Sequence, residues 1–343
     1  MLKKTAILFF FMASVILFYS FTAKKPGQQV LKTIIIDAGH GLRPGGGHDG
    51  ARGAYSYEDE ICYDVSKKLV ALVDKHFPGV KVIETRPTKY ITSLHERADI
   101  ANRNRGDLFI SIHVNAMPDI RKTEFLGYDQ EVYYVKKGKK KIKKTRSVPK
   151  YRHYTVPNTY TKGTETYIWG AHKAEDKELA VRENAPMFAE ENYKQKYGDI
   201  DPNSPEFIAL SLVKTRQFAK RSAALATMVE TQFEKVGRVS KGTKQRQVGI
   251  WVLQATAMPS ILVETGFITN PEEEAYLNSE NGQAEIANCI VGAVKNYVDW
   301  LEKKQNATGG GNITTQSFST PVRNEFLHAV EHMEQTRIAA TRR

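Results

Sequence analysis

Apolar and polar positions recur with two different periods along this chain, and the switches between them mark out its elements. Thr33-Ile34-Ile35-Ile36 is β-branched and continuously apolar, the mark of a strand buried on both faces. It runs into Asp37-Ala38-Gly39-His40-Gly41 and a glycine-rich loop that reaches Tyr57. Beyond it Ile61, Val65, Leu69, Leu72 and Val73 recur at three- and four-residue spacings over residues 58–76, one face of a helix, and Pro78-Gly79 ends it. Residues 80–83 read as a second strand, 92–104 as a helix and 107–113 as a third strand. Strands alternating with helices predict an α/β fold, a mostly parallel twisted sheet flanked by helices on both faces. Ligands of such sheets gather at the carboxyl ends of the strands. His40 lies just past the first strand and His113 ends the third, so both fall on one edge.

The rhythm breaks after Met117. Residues 117–166 follow neither period, and 136–152 hold ten Lys or Arg and no acid. That stretch reads as a solvated hairpin arm or as a contact for an anionic glycan or wall. Residues 174–213 are Glu-rich and helical, with a turn at 198–205. A long helix follows at 213–233, then strands at 248–253 and 260–263, a helix opening at 271–276 and a closing helix at 284–301. A Gly/Thr/Ser-rich linker covers 306–319, and 323–343 reads as a short basic amphipathic helix or as unstructured chain. The boundaries expected are a signal or anchor at 1–23, one catalytic domain at 24–303 with a long insertion of about 117–212 before the last motif, and a flexible tail at 304–343.

Of the 343 residues 41% are hydrophobic and 26% charged, values of a globular chain able to bury a sizeable core. The two cysteines, Cys62 and Cys289, both sit in apolar periodic stretches. They read as buried free thiols, and no Cys/His spacing suits a metal. A net charge of +12 points to an anionic partner, either nucleic acid or a carboxylate-bearing wall polymer such as peptidoglycan. The N-terminus narrows the choice. Lys3 and Lys4 precede an uncharged, mostly apolar run to Ala23, the pattern of an export signal that is also long enough to stay as an anchor. An exported chain belongs in the periplasm or cell envelope, with membrane contact only through that segment if it is uncleaved. Export and the lack of any nucleic-acid motif argue against a nucleic-acid role.

The candidate chemistry rests on four residues. Catalytic zinc takes three nitrogen, oxygen or sulfur ligands and leaves one position open. His40, Glu58 at the head of the first helix and His113 can supply such a set at the sheet edge. Glu264 ends the apolar run Ile261-Leu262-Val263, where burial raises a carboxyl pKa, and it is the candidate to take a proton from water and pass it to a departing amine. Glu60 is a rival to Glu58, but the helix phase directs it elsewhere. His48 reads as a loop histidine, Asp37 as a residue that orients the His40 loop, and Asn115 as a group that orients substrate or a water beside the ligands.

These residues come in an order that resembles a known family. Ile36-Asp37-Ala38-Gly39-His40-Gly41, Glu58-Asp59-Glu60-Ile61, Thr85-Arg86 with Ser93-Leu94-His95-Glu96-Arg97, Phe109-Ile110-Ser111-Ile112-His113-Val114-Asn115-Ala116 and Ile261-Leu262-Val263-Glu264-Thr265-Gly266-Phe267 are similar, in sequence order, to the motifs of zinc-dependent N-acetylmuramoyl-L-alanine amidases of type 3. The resemblance spans about 31–301. It implies Zn2+ held by His40, Glu58 and His113, Glu264 as catalytic acid and base, and cleavage of the amide between the lactyl group of N-acetylmuramic acid and L-alanine in peptidoglycan. Some periplasmic members carry, in the long insertion, a helix that covers the zinc until a protein activator displaces it. Residues 173–212, with Glu190 or Glu191 reaching the open position, are the matching stretch here. The alternatives are a non-catalytic peptidoglycan-binding module and another zinc amidohydrolase of the wall.

Overall fold

The computed structural model describes residues 30–169, 205–246 and 250–307. The expected signal or anchor at 1–23 and residues 173–204 of the expected covering stretch 173–212 lie outside the described residues; the end of that stretch, 205–212, opens the helix Pro205–Lys235. Among those described, no helix is long and apolar enough to cross a membrane.

Six strands make one sheet: β1 (Thr33–Ala38), β2 (Lys81–Glu84), β3 (Leu108–Asn115), β6 (Thr164–Trp169), β7 (Ser240–Arg246) and β8 (Ser260–Phe267), in the order β2-β1-β3-β8-β6-β7. All neighbouring pairs are parallel except β6 with β8. β1, β3, β6 and β8 are buried along their whole length, which is why their sequences read as apolar runs and not as alternations.

Both faces are covered. Helices α1 (Glu58–His76), α3 (Pro205–Lys235) and α6 (Glu280–Ala307) pack Ile61, Val65, Leu69, Leu225, Val229, Ile286 and Ile290 against Ile34, Ile36, Ile110, Ile112, Ile261 and Val263. On the other face α2 (Leu94–Arg103) and the short α4 (Trp251–Ala255) set Ala101, Val252 and Leu253 against Ile35, Phe109 and Leu262. The two cysteines are free and buried, Cys62 on α1 and Cys289 on α6, as their apolar settings predict.

Three stretches differ from the sequence reading. Of the strand expected at 248–253, the described residues 250–253 are not a strand: Ile250 precedes the α4 helix, whose Val252 and Leu253 fill the second core. A short apolar run carries no period with which to tell the two apart, and the edge beside β6 is already taken by β7, a polar strand that gave no signal. Residues 117–166 are not irregular. They hold an antiparallel ribbon of β4 (Ile120–Lys137) and β5 (Lys140–Val156), and then β6. The ribbon packs neither face on the core, so nothing imposes a hydrophobic alternation on it. Finally, β6 lies within the span read as insertion, yet it belongs to the main sheet.

Candidate metal centre and active site

The site begins with a held loop. β1 ends at Ala38, and His40 follows with φ 58, a left-handed conformation that His adopts more readily than most residues but that still needs support. Two buried arginines supply it. Arg97 of α2 donates to the Asp37 carboxylate at 2.9 Å and to the carbonyls of Ala38 and His40. Arg86 donates to the carbonyls of Ala38 at 3.0 Å, Gly39 at 3.1 Å and Asp59 at 2.8 Å. Asp37 in turn accepts from the hydroxyls of Ser111 and Thr85. Burial alone would push its carboxyl up, but the Arg97 charge and those two hydroxyls outweigh burial and hold it below the usual carboxylate range. Asp37 therefore braces the loop, as expected. Both arginines stand in the motifs quoted above, where the sequence alone gave them no role.

His40, Glu58 and His113 meet. All three are buried, and one ligand atom from each lies within 4.8 Å of the others. Glu58 Oε1 is 3.2 Å from His40 Nε2 and 3.2 Å from His113 Nδ1. A tetrahedral ion with bonds of about 2.0–2.1 Å has ligand–ligand edges of about 3.3 Å, so these separations and this donor set fit zinc. Glu58 is aimed by backbone: Ala51 N–H donates to Oε2 at 2.7 Å and Val114 N–H to Oε1 at 3.0 Å. Its place in the first turn of α1 also suits the helix dipole. Glu60 is exposed, as the helix phase requires.

Two glycines leave room for the rings. A Cβ on Gly39 would lie 2.6 Å from the His113 ring, and one on Gly50, at φ +90, would lie 2.7 Å from the His40 ring and 2.8 Å from Glu58 Oε2. Behind His40, Asp49 Oδ2 stands 3.5 Å from Nδ1, with Arg43 on its other oxygen. Burial alone would push the Asp49 carboxyl up; the hydrogen bond and charge of His40, and then Arg43, hold it below the usual range. This carboxylate–imidazole relay is typical behind a metal-bound histidine. Asp49 was missed in the sequence, although an acid beside a ligand-bearing glycine-rich loop is the signal that such a relay leaves. His48 instead bonds Asp59 at 2.9 Å and stacks on Tyr57.

Glu264 is fully buried on β8 and lies opposite His113 of β3 in the strand register. Thr265 Oγ1 ties the strands together there by donating to the His113 carbonyl at 2.9 Å. On the far side of β8, Glu165 of β6 is the antiparallel partner of Glu264. Directly paired residues share a face of the sheet, so His113, Glu264 and Glu165 form a row across three strands. Asn115 Nδ2 donates to Glu165 Oε2 at 3.3 Å, and the Tyr167 hydroxyl donates to the same oxygen. Asn115 is thus turned toward a carboxylate beside Glu264. Glu165 was also missed; Gly163 ahead of Thr-Glu-Thr-Tyr is a strand-start signal that could have found it. Asp37, His40, Arg97 and His113 also border a small cavity completed by Ile91, Leu94, Trp251 and Val252.

The loop between the first histidine and Glu58 is pinned from a distance. Glu274 of α5 (Pro271–Asn278) accepts from the backbone N–H groups of Ala54, Tyr55 and Ser56 at 2.9–3.0 Å. That helix is started by Pro271 and by Asn270, whose side chain accepts from the N–H groups of Glu272 and Glu273.

The chain is 27% identical over 286 residues to N-acetylmuramoyl-L-alanine amidase AmiA of Salmonella typhimurium, covering 83% of this chain and 82% of that protein. It is 27% identical over 285 residues to AmiA of Escherichia coli K12, covering 82% and 81%. Among solved structures it aligns with the N-acetylmuramoyl-L-alanine amidase of Clostridium difficile 630 at 23% identity and a TM-score of 0.47, over 79% of this chain and 98% of that one. The profile of the N-acetylmuramoyl-L-alanine amidase family matches residues 34–296, which include all five motifs, both histidines and both glutamates; the chain belongs to that family.

Proposed function

We propose that this protein hydrolyses the amide between the lactyl group of N-acetylmuramic acid and L-alanine in peptidoglycan, with zinc held by His40, Glu58 and His113 and with Glu264 as the catalytic acid and base. The observation that carries the reading is the buried His-Glu-His cluster with a further buried carboxylate opposite His113 on the adjoining strand. Zinc, when bound, acidifies water and polarises an amide carbonyl. Glu264 takes the proton of the attacking water and gives it to the nitrogen of the departing L-alanine, so that one water is consumed and a carboxylic acid and an amine result. Asp49 fixes the ring of His40, and Ala51 N–H and Val114 N–H fix Glu58. Asn115 and Glu165 offer an amide and a carboxylate to the substrate beside Glu264. The substrate lies outside the cytoplasm, which fits the export segment read at 1–23.

The test is a digest of purified sacculi followed by mass spectrometry, with metal analysis of the same protein. Free stem peptides released from intact glycan strands support the reading. Cleavage within the peptide, or loss of acetyl groups alone, identifies another wall hydrolase. Glu264→Gln should keep the metal and lose turnover; parental turnover in that variant removes Glu264 from the mechanism.

A further inference from the structure

The β4–β5 ribbon contributes nothing to the core. Among the described residues its strands pair only with each other, and almost every residue from Ile120 to Val156 is exposed. With 17 residues in β5 it carries its tip roughly 55 Å along its axis at about 3.3 Å per residue. Two-stranded ribbons are marginal on their own in water.

Charge is distributed unevenly along it. The three acids of the ribbon are all paired toward its base and middle: Glu124 with Arg152, Asp129 with Lys150 at 3.0 Å and Glu131 with Arg146 at 2.6 Å. The tip has none. Residues 136–144 hold seven lysines, and the register sets Lys136 opposite Lys141 and Lys137 opposite Lys140. Like charges directly opposite one another destabilise a ribbon, and among the described residues the ion pairs of the ribbon's acids all lie below the tip, so the tip is suited to meet negative charge from elsewhere.

The same end is apolar as well as basic. Val135 faces Ile142 across the ribbon with Tyr133 next on the same face, and Tyr134 stands on the other; Tyr134 is 64% exposed, Ile142 41%, Val135 39% and Tyr133 37%. A purely solvated arm has no use for this group. Tyrosines with small aliphatic side chains among lysines are the composition of a membrane interface, where aromatic rings sit at headgroup level and long lysines keep their ammonium groups in the headgroups. The basic residues of the tip are all lysines, compact point charges without the planar fork that grips a defined phosphate or carboxylate. We infer that the tip of this ribbon, residues 133–144, docks on an anionic phospholipid surface and tethers the amidase domain beside the membrane.

The test is vesicle co-sedimentation of the full chain, on vesicles of phosphatidylcholine alone and of phosphatidylcholine mixed with phosphatidylglycerol. Lys3, Lys4, Lys24 and Lys25 flank the N-terminal apolar run and favour anionic vesicles in parent and variants alike, so the change in the ratio from parent to variant reads the tip. Each lysine at an anionic surface adds roughly fivefold to partition, and the expected preference for the anionic vesicles is at least about tenfold. It should vanish in about 1 M salt, where screening falls to about 3 Å. Replacing all seven lysines of 136–144 by Gln should lower the preference at least about tenfold while leaving hydrolysis of soluble muropeptides unchanged. Replacing the seven by Arg should retain it, which separates lost charge from a damaged ribbon. V135S/I142S should weaken binding to the anionic vesicles severalfold with all charge intact. Equal partition of the parent on both vesicles overturns the proposal, as does a preference that the seven Gln substitutions leave unchanged. Binding to an anionic wall polymer without any preference among vesicles overturns the lipid assignment and makes the ribbon a wall contact.

Discussion

Gly39→Ala tests whether the site depends on how closely the β1 loop approaches His113. The added methyl would sit 2.6 Å from Cε1 and Nε2 of the ring and 2.8 Å from Nδ1, where ordinary contact begins at 3.4 Å. One side must retreat by about 0.8 Å. The backbone is pinned: Gly39 N–H donates to the Ile112 carbonyl at 2.9 Å, and the Gly39 carbonyl accepts from Arg86 at 3.1 Å. The ring therefore moves, and its 3.2 Å approach to Glu58 is lost. Metal sites tolerate about 0.2 Å, and disturbing even the groups behind the ligands costs 10–100-fold in affinity, roughly 1.4–2.7 kcal/mol. We expect zinc affinity at least about 100-fold weaker, measured by competition with a chromophoric chelator, and a comparable fall in turnover on sacculi. The overpacking itself should cost about 1–3 kcal/mol in urea unfolding, leaving a folded protein with parental far-UV circular dichroism. Gly292→Ala, whose methyl meets Gln232 at an ordinary 3.4 Å, is the control and should leave affinity unchanged. Parental zinc affinity and turnover in Gly39→Ala would refute the argument.

Three further outcomes follow from the same geometry. Asp49→Ala should weaken zinc binding about 10–100-fold in the chelator assay, because His40 loses the group 3.5 Å from its Nδ1; an unchanged constant would show that Asp49 serves only Arg43. Asp37→Asn leaves Arg97 buried beside a neutral group and should lower unfolding free energy by about 3–5 kcal/mol at neutral pH, read from urea titrations. The parent's contribution from Asp37, whose folded pKa lies below its unfolded value near 3.9, is fully present above about pH 4 and is lost as pH falls through the folded pKa; the variant should show a flatter acid limb, and an equally steep one would count against the pair. Glu274→Ala releases the three N–H groups of residues 54–56 and should lower both stability and zinc affinity; an effect on stability alone would mean that the loop does not help to place Glu58.

What the sequence made legible and what it hid follow one physical division. The β1, β3 and β8 strands and the α1 helix are buried, and burial writes a period into the chain: Ile34 to Ile36, Phe109 to Ile112 and Ile261 to Val263 as runs, Ile61, Val65 and Leu69 as a stripe. His40 and His113 were legible because each stands at the end of such a run. Where burial relaxes, the pattern goes with it. β7 reads Ser-Lys-Gly-Thr-Lys-Gln-Arg because an edge strand needs backbone pairing and little else, and the β4–β5 ribbon, solvated on both faces, has no alternation to find. The hidden site residues are of another kind. Asp49 and Glu165 act through partners that only the fold brings near: a loop folded back on His40 in the first case, and a strand laid antiparallel to β8, about 100 residues away in the chain, in the second. Arg86 and Arg97 belong with them, since two cations at 1% exposure are tolerable only beside the carbonyls and the Asp37 carboxylate they bond. The groups proposed to bear the chemistry can therefore be named from local runs, while the groups that aim them are fixed by long-range pairing. That is why the aiming residues, and not the two histidines, are where substitutions should separate this geometry from a mere coincidence of motifs.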